Sequence, residues 1–235
     1  MDRITRKELK TDKFREEVAH TFQYVGLHRN QMVRYGAIAV VLILAIVAWG
    51  YYSGQRTADR QSMLQAAMEI QNRQIGPDTG NEFLPTYPTV QARSEAANKA
   101  FNDLIAKYPG SAEAQVSYYF LGVIAADAGK FSDAEKDLKI ASGGGNRDYA
   151  SLAAFSLAHV EAALGKAAEG ERLLRALIEK PTVFVSKDQA IISLAKMIAP
   201  VRPNEARKLL EPLRTSRSSA VSRTALTTLA EFPPQ

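Results

Sequence analysis

The sequence contains no cysteine and only three histidines. Without cysteine the fold has no disulfides, and thiol catalysis and cysteine-based metal sites are excluded. The histidines are His20, His28 and His159, and the topology argued below separates the first two from the third by a membrane. They cannot share a metal ion, and His159 alone is typical of a packed or groove-lining residue. The sequence therefore predicts no metal site and no cofactor.

Charge is also missing from residues 35–55, and the stretch from Gly36 to Tyr52 is almost wholly apolar. A helix rises about 1.5 Å per residue, so about 20 residues cross the roughly 30 Å hydrocarbon core of a bilayer. In lipid, a lone segment can satisfy its own backbone hydrogen bonds only as a helix. Trp49 and Tyr51 at one end are typical of a membrane interface. We predict a transmembrane helix over residues 35–52 that contacts the lipid bilayer.

Two alternatives to a transmembrane helix remain open. A buried core helix of this length would usually carry a polar residue. A cleaved signal peptide could use Ala48-Trp49-Gly50 as its cleavage site, but residues 1–34 are too many for the short basic start of such a peptide. We therefore expect an uncleaved signal anchor.

Residues 1–34 are rich in basic side chains, and only Arg56 and Arg60 follow closely on the other side of the apolar stretch. The basic residues of the tail are Arg3, Arg6, Lys7, Lys10, Lys13, Arg15, Arg29 and Arg34. Basic residues stay in the cytoplasm, so we expect a cytoplasmic tail and a residue 53–235 domain outside, in the periplasm of a bacterium. The protein would then lie in the inner (cytoplasmic) membrane as a single-pass protein.

The tail also has apolar residues near helical spacing, and these are Leu9, Phe14, Val18, Phe22 and Val25. The pattern predicts an amphipathic helix on the membrane surface, either a docking element or an anchor without a partner. The net charge of +5 lies largely next to the membrane, where basic residues meet anionic lipid headgroups. It does not indicate nucleic-acid binding.

The remainder of the chain predicts helical repeats, because Ala, Leu, Glu and Lys are abundant and strand-like alternation is missing. Residues 115–148 match the spacing of the tetratricopeptide repeat, a pair of antiparallel helices of about 34 residues. Small residues at Gly122 and Ala134 predict a close helix crossing, and Gly129 predicts a left-handed helix end. The matching residues are Tyr118, Leu121, Gly122, Ala125, Gly129, Phe131, Ala134, Leu138 and Ala141.

Residues 151–184 repeat this spacing, and weaker copies lie on both sides of the two best repeats. A terminal capping helix is expected from Ser218 to Phe232. The stretch from Ile75 to Val90 is predicted to be an inserted loop, because it holds three prolines and two glycines. The predicted fold class is all-α, with a single N-terminal transmembrane helix followed by a tetratricopeptide-repeat-like α-solenoid.

No pattern in the sequence predicts catalysis. Gly143-Gly144-Gly145 lacks the Lys-Ser/Thr of a phosphate-binding loop and follows a predicted helix. Asp133, Glu135 and Asp137 are interpreted as routine surface charge. We therefore predict neither an enzyme nor a small-molecule substrate, and expect protein partners instead.

The predicted binding surface is the concave side of the repeats, which the first helix of each pair lines. It is unusually apolar, and either binds hydrophobic peptide segments or a partner helix, or is filled by the inserted loop or the terminal helix. Its predicted residues are Val116, Tyr119, Val123, Leu152, Phe155, His159, Ala162 and Ile192.

The whole layout resembles the bacterial ancillary Sec translocon subunit family. The features that carry the resemblance are the basic tail, one span, a helix continuing from it, and the repeats, with Tyr118-Tyr119-Phe120-Leu121-Gly122 and Ala134-Glu135 identifying the repeat. The resemblance implies association with the translocon, with periplasmic chaperones or with emerging polypeptides. Two alternatives remain: a scaffold for envelope assembly or cell division, and an accessory subunit that modulates a membrane enzyme.

Overall fold

A computed structural model describes residues 29–77 and 86–232 of the chain. The predicted amphipathic helix from Leu9 to Val25 and the middle of the inserted loop lie outside these residues. The chain divides into two compact units, Met1–Ala58 and Asp59–Gln235.

The first described helix, α1 (Arg29–Asn72), contains the predicted span. It is the one helix within residues 29–77 and 86–232 that is long and apolar enough to cross a membrane. The apolar side chains of its predicted span, residues 35–52, are exposed on all sides, with Ile46 at 69% and Trp49 at 74%. A helix that is apolar all round is stable only when something other than water surrounds it.

The described residues of the second unit form helices joined by turns and loops. Eight further α-helices follow: α2 (Val90–Lys107), α3 (Ala112–Asp127), α4 (Phe131–Ser142), α5 (Arg147–Ala163), α6 (Ala167–Glu179), α7 (Lys187–Ile198), α8 (Pro203–Leu210) and α9 (Ser219–Glu231). An isolated β-bridge between Ile75 and Tyr87 joins the two described ends of the loop, and the described residues form no other strand pairing. The predicted all-α fold class is confirmed.

The last part of α1 and helix α2 form the first antiparallel pair. Asp59 near the start of this part bonds Lys107 at the end of α2, at 3.3 Å. Arg93 near the start of α2 donates to the carbonyl of Arg73, at 3.1 Å. Between them Ala67 and Phe101 are completely buried in one apolar cluster. The remaining pairs are α3 with α4, α5 with α6, and α7 with α8, and each helix from α2 to α8 packs against the next along the chain.

Two glycines permit the geometry of the second pair. A Cβ atom on Gly122 of α3 would lie 2.6 Å from the Cγ of Leu138, so α3 and α4 cross at a distance that only glycine allows. Gly129 has φ +73°, the left-handed conformation that ends α3 and reverses the chain into α4. Both predictions made for these glycines are confirmed.

Side-chain caps fix where the first helices begin. Ser111 and Ser186 accept hydrogen bonds from backbone N–H groups in the first turns of α3 and α7, and Asn146 does the same for α5. Such caps satisfy donors that have no partner inside the helix. The helices α3, α5 and α7 carry most of the predicted binding residues, so these caps set the register of the candidate surface.

Candidate protein-binding groove

Seven of the eight predicted groove residues have accessible surface. Tyr119 and Val123 lie on α3, and Ile192 lies on α7. The other four, Leu152, Phe155, His159 and Ala162, lie on α5. His159 is the most exposed of the seven, and the other six are partly buried. Five of these six contact the core on one side, namely Tyr119, Val123, Leu152, Phe155 and Ile192.

Val116 differs from the prediction, because it is only 3% exposed and belongs to the core. Long side chains on a helix lean toward its N-terminus and cover the preceding turn. Tyr119 and Phe120 follow Val116 by three and four residues, a spacing at which long side chains are expected to cover that turn. Val116 was predicted from helical spacing alone, and spacing does not predict how far neighbouring side chains bury a residue.

Phe155, His159 and Ile192 come together in one cleft of about 390 Å³. The terminal helix α9 forms one wall of this cleft through Val221 and Thr224. The terminal helix therefore borders the groove and leaves this volume open. The alternative that the inserted loop fills the groove concerns residues 78–85, which lie outside the described residues.

His159 is held in a defined orientation inside the cleft. Its Nε2 atom shares a hydrogen bond with the hydroxyl of Ser193 on α7, at 2.9 Å. Its ring meets the ring of Phe155 edge to face, with centroids 5.0 Å apart. Although part of the ring is exposed to solvent, desolvation on its inner side lowers the pKa of His159 from its usual 6.5, which favours the neutral imidazole at neutral pH.

A row of aromatic rings extends the groove along the repeats. Tyr119 lies 5.1 Å from Phe120 and 5.9 Å from Tyr149 of α5, measured between ring centroids. Tyr149 is in turn 5.5 Å from Phe184, in the loop before α7. At the other end Phe120 stacks on Phe101 of α2 at 5.1 Å. Such spacings are those of favourable aromatic pairs.

Three rings of this row, Phe120, Tyr149 and Phe184, are not among the groove residues predicted from the sequence. Tyr149 stands in the first turn of α5 and Phe184 in a loop, where helical spacing selects no residue. Their aromatic character alone could have marked them, since the loop Pro181-Thr182-Val183-Phe184 is apolar and outside any helix. Hydrogen bonds fix that loop, with Thr182 Oγ1 2.6 Å from the hydroxyl of Ser151.

Glu135 has a role that differs from the predicted routine surface charge. Its carboxylate bonds Lys139 on the same helix and Lys166 at the start of α6, the latter at 2.8 and 2.9 Å. Hydrogen bonds from Lys139 and then Lys166 lower the pKa of Glu135 to about 2. The two lysines also face Glu161 of α5, with ammonium–carboxylate distances of 3.2 and 3.6 Å. This ion cluster joins two neighbouring repeats.

A second cluster of the same kind appears 36 residues later along the chain. Glu171 there takes the place of Glu135, and it bonds Arg175 and Arg202 where the first cluster has Lys139 and Lys166. Glu205 completes the second cluster, bonding Arg175 at 2.6 Å and Arg202 at 3.0 Å. The repetition shows that these charges are part of the repeat. They join the second helix of one pair to the start of the second helix of the next pair, α4 to α6 and α6 to α8.

Glu161 is the exception between the two clusters, because it is 1% exposed and the corresponding position holds Met197. Neither of its carboxylate oxygens has a well-formed hydrogen bond with any described residue. Within residues 29–77 and 86–232, no group of three or more His, Asp and Glu side chains is arranged to hold a metal ion.

Comparison with known families agrees with this geometry. Residues 30–187 match the model of the tetratricopeptide repeat-like domain. No curated protein matches the chain. The matched stretch runs from α1 to the start of α7, so most of α7, all of α8 and the terminal helix α9 extend the array beyond it. Domains of this type are interaction modules for other proteins and typically have no catalytic activity. The chain belongs to the tetratricopeptide repeat-like domain family.

Proposed function

We propose that this protein is a membrane-anchored interaction module of the bacterial envelope that binds polypeptides through its repeat groove. The observation that carries the proposal is the cleft formed by Phe155, His159 and Ile192 together with the aromatic row beginning at Tyr119. An open apolar surface of this kind, supported by ion clusters behind it, fits hydrophobic segments of another chain.

The anchoring part of the proposal has residues 1–34 in the cytoplasm, residues 35–52 in the bilayer and residues 53–235 in the periplasm. It is supported by the exposed apolar surface of α1 and by the basic residues before it. Anchoring raises the effective concentration of the groove near a membrane complex. A groove with low affinity can then bind a partner that it would rarely meet in free solution.

The proposed partners are the Sec translocon, periplasmic chaperones and polypeptides that emerge from the membrane. The resemblance in layout to ancillary translocon subunits supports this choice. The physical support is that emerging chains are unfolded and expose the apolar side chains that the groove fits. A folded partner would instead need a complementary surface of its own.

Site-specific photo-crosslinking from the groove tests the proposal. A photoreactive residue replaces Phe155 in the full-length protein in cells, and a matched variant carries it at Lys136, which is exposed on the second helix α4. We expect translocon components, chaperones and many unfolded clients to be captured from position 155 and few from position 136. The exchange of Tyr119 for Ala in the crosslinking protein should lower capture, provided that the helical content is unchanged.

Other crosslinking results distinguish the alternatives. Capture of one folded scaffold protein would favour a role in envelope assembly or cell division. Capture of one membrane enzyme would favour an accessory subunit. Equal capture from positions 155 and 136 would mean that the groove is not the binding surface, and the proposal would be wrong.

A further inference from the structure

The cleft between α5, α7 and α9 contains one cation, Lys196, that has no counter-ion among the residues that the structure describes. Lys196 stands in the last turn of α7, lines the cleft and is exposed. It forms no ion pair with any residue in the described part of the chain, although other exposed lysines such as Lys139 and Lys166 do. The positive charge is therefore available to a ligand.

The cleft lining contains no acidic side chain that could neutralise Lys196. Asp188 is the acidic residue of α7, but it lies in the first turn, about 12 Å along the helix axis from Lys196. The other polar groups in the lining are neutral: the hydroxyls of Ser186, Ser193 and Thr224, the amide of Gln189, and the His159 ring that bonds Ser193. The described lining of the cleft thus carries one positive charge and no negative charge.

The floor of the cleft is apolar. Phe155 and Ile192 pack on the core and present their outer sides to the cleft, and Val221 of α9 closes the side. The volume of about 390 Å³ lies near the lower end of the roughly 300–1,000 Å³ that ligand pockets occupy. It suits one or two side chains of a peptide better than a whole cofactor.

We propose that the cleft selects polypeptide segments in which an acidic side chain stands next to apolar residues. The apolar side chains occupy the floor beside Phe155 and Ile192, and the carboxylate bonds the ammonium group of Lys196. The inference rests on the proposed function and adds to it the chemistry of the bound segment. Charge complementarity carries it, because a carboxylate next to the cleft neutralises a cation that nothing else in the described chain pairs.

Fluorescence anisotropy with designed peptides tests this selection. The full-length protein in detergent is titrated against dye-labelled octapeptides that alternate Phe and Leu with polar residues and carry a central Asp, Asn or Lys. Both peptide ends are blocked to remove the terminal charges. The measurement is made at pH 8, where His159 is neutral and adds no charge.

We expect the Asp peptide to bind about fivefold tighter than the Asn peptide, as for a partly exposed ion pair, and the Lys peptide to bind weakest. The Lys196→Met variant should bind the Asp and Asn peptides equally. Lys196→Arg should keep the preference, and so should Lys208→Met, which removes an exposed lysine outside this cleft. The preference should decrease in 1 M salt, where the screening length is about 3 Å.

Equal binding of the Asp and Asn peptides to the unchanged protein would overturn the selection for acidic segments and leave the apolar groove in place. Tighter binding of an Asn peptide with a free C-terminal carboxylate than of the blocked Asp peptide would also overturn it, in favour of chain ends. Binding of none of the peptides would overturn both this inference and the proposed function.

Discussion

Replacement of Glu161 by Met should leave the repeat domain as stable as before or make it more stable. The Glu161 carboxylate is 1% exposed, whereas the two lysines that face it are about half exposed, with side-chain exposures of 53% and 50%. The carboxylate thus loses its hydration on folding. The two lysines stay partly hydrated and also pair with Glu135, so their attraction to Glu161 only partly offsets that loss. Replacing buried ion pairs by apolar side chains of similar volume is often neutral or stabilising by about 1–4 kcal/mol. The same sign is expected for Glu161→Met, because the two lysines left behind are half exposed and keep Glu135 as a partner.

The matched control is Glu161→Gln, which keeps the shape and removes the charge. Its amide would be buried where neither carboxylate oxygen now has a well-formed hydrogen bond, and an unsatisfied buried polar group costs about 1–3 kcal/mol. The free energy of unfolding of the Met variant should therefore exceed that of the Gln variant by about 1–7 kcal/mol. At roughly 2–4 °C per kcal/mol for a domain of this size, the Met variant should melt at least about 2 °C above the Gln variant.

Far-ultraviolet circular dichroism is the suitable probe for thermal unfolding of these variants. The one tryptophan of the chain, Trp49, lies in α1 and does not report on the repeats. Met at position 161 also matches the repeat itself, since Met197 occupies the corresponding position and contacts Gly170. If Glu161→Met is less stable than Glu161→Gln, the carboxylate stabilises the domain and the argument from lost hydration is wrong.

Two further predictions concern the ion cluster and the helix crossing. Because the pKa of Glu135 falls from its usual 4.5 to about 2 on folding, its stabilisation should be present above pH 4.5 and be lost as the pH falls toward 2. The melting temperature of Glu135→Gln should therefore lie below that of the unchanged protein at pH 7, and the two should become equal near pH 2. An equal difference in melting temperature at both pH values would contradict this. Gly122→Ala should destabilise by about 1–3 kcal/mol in urea titrations, because its Cβ would lie 2.6 Å from Leu138 Cγ. A gain in stability from the better helix propensity of alanine would mean that the crossing at Gly122 is looser than described.

The repeat architecture was predictable because each repeat is stabilised mainly by local packing. The spacing of Gly122, Gly129 and Leu138 encodes one helix pair, and the structure contains that pair with Gly129 at φ +73°. The same frame, moved along the chain, also selected Phe155 and Ile192, which the structure brings into one cleft. These residues follow from periodicity within and between adjacent helices.

The features that were missed depend on contacts between repeats. Val116 satisfied the spacing for a groove residue but is buried in the core. Glu135 looked like a solvated charge, because its partner Lys166 is distant in sequence and becomes a neighbour only when α6 packs beside α4. The aromatic row needed Phe184, which lies in a loop that helical periodicity does not describe. The burial of Val116, the Glu135–Lys166 ion pair and the aromatic row all depend on packing between parts of the chain that are distant in sequence.

The most direct measurement is the side of the membrane on which each end of the chain lies. Because the chain has no cysteine, single substitutions Thr11→Cys and Ser219→Cys provide unique labels in the tail and at the start of α9. In cells with a permeabilised outer membrane, an impermeant maleimide should label position 219 of the full-length protein and reach position 11 only after lysis. Labelling of position 11 before lysis, or a mature chain that begins after Trp49, would contradict a protein anchored by α1 with its groove in the periplasm.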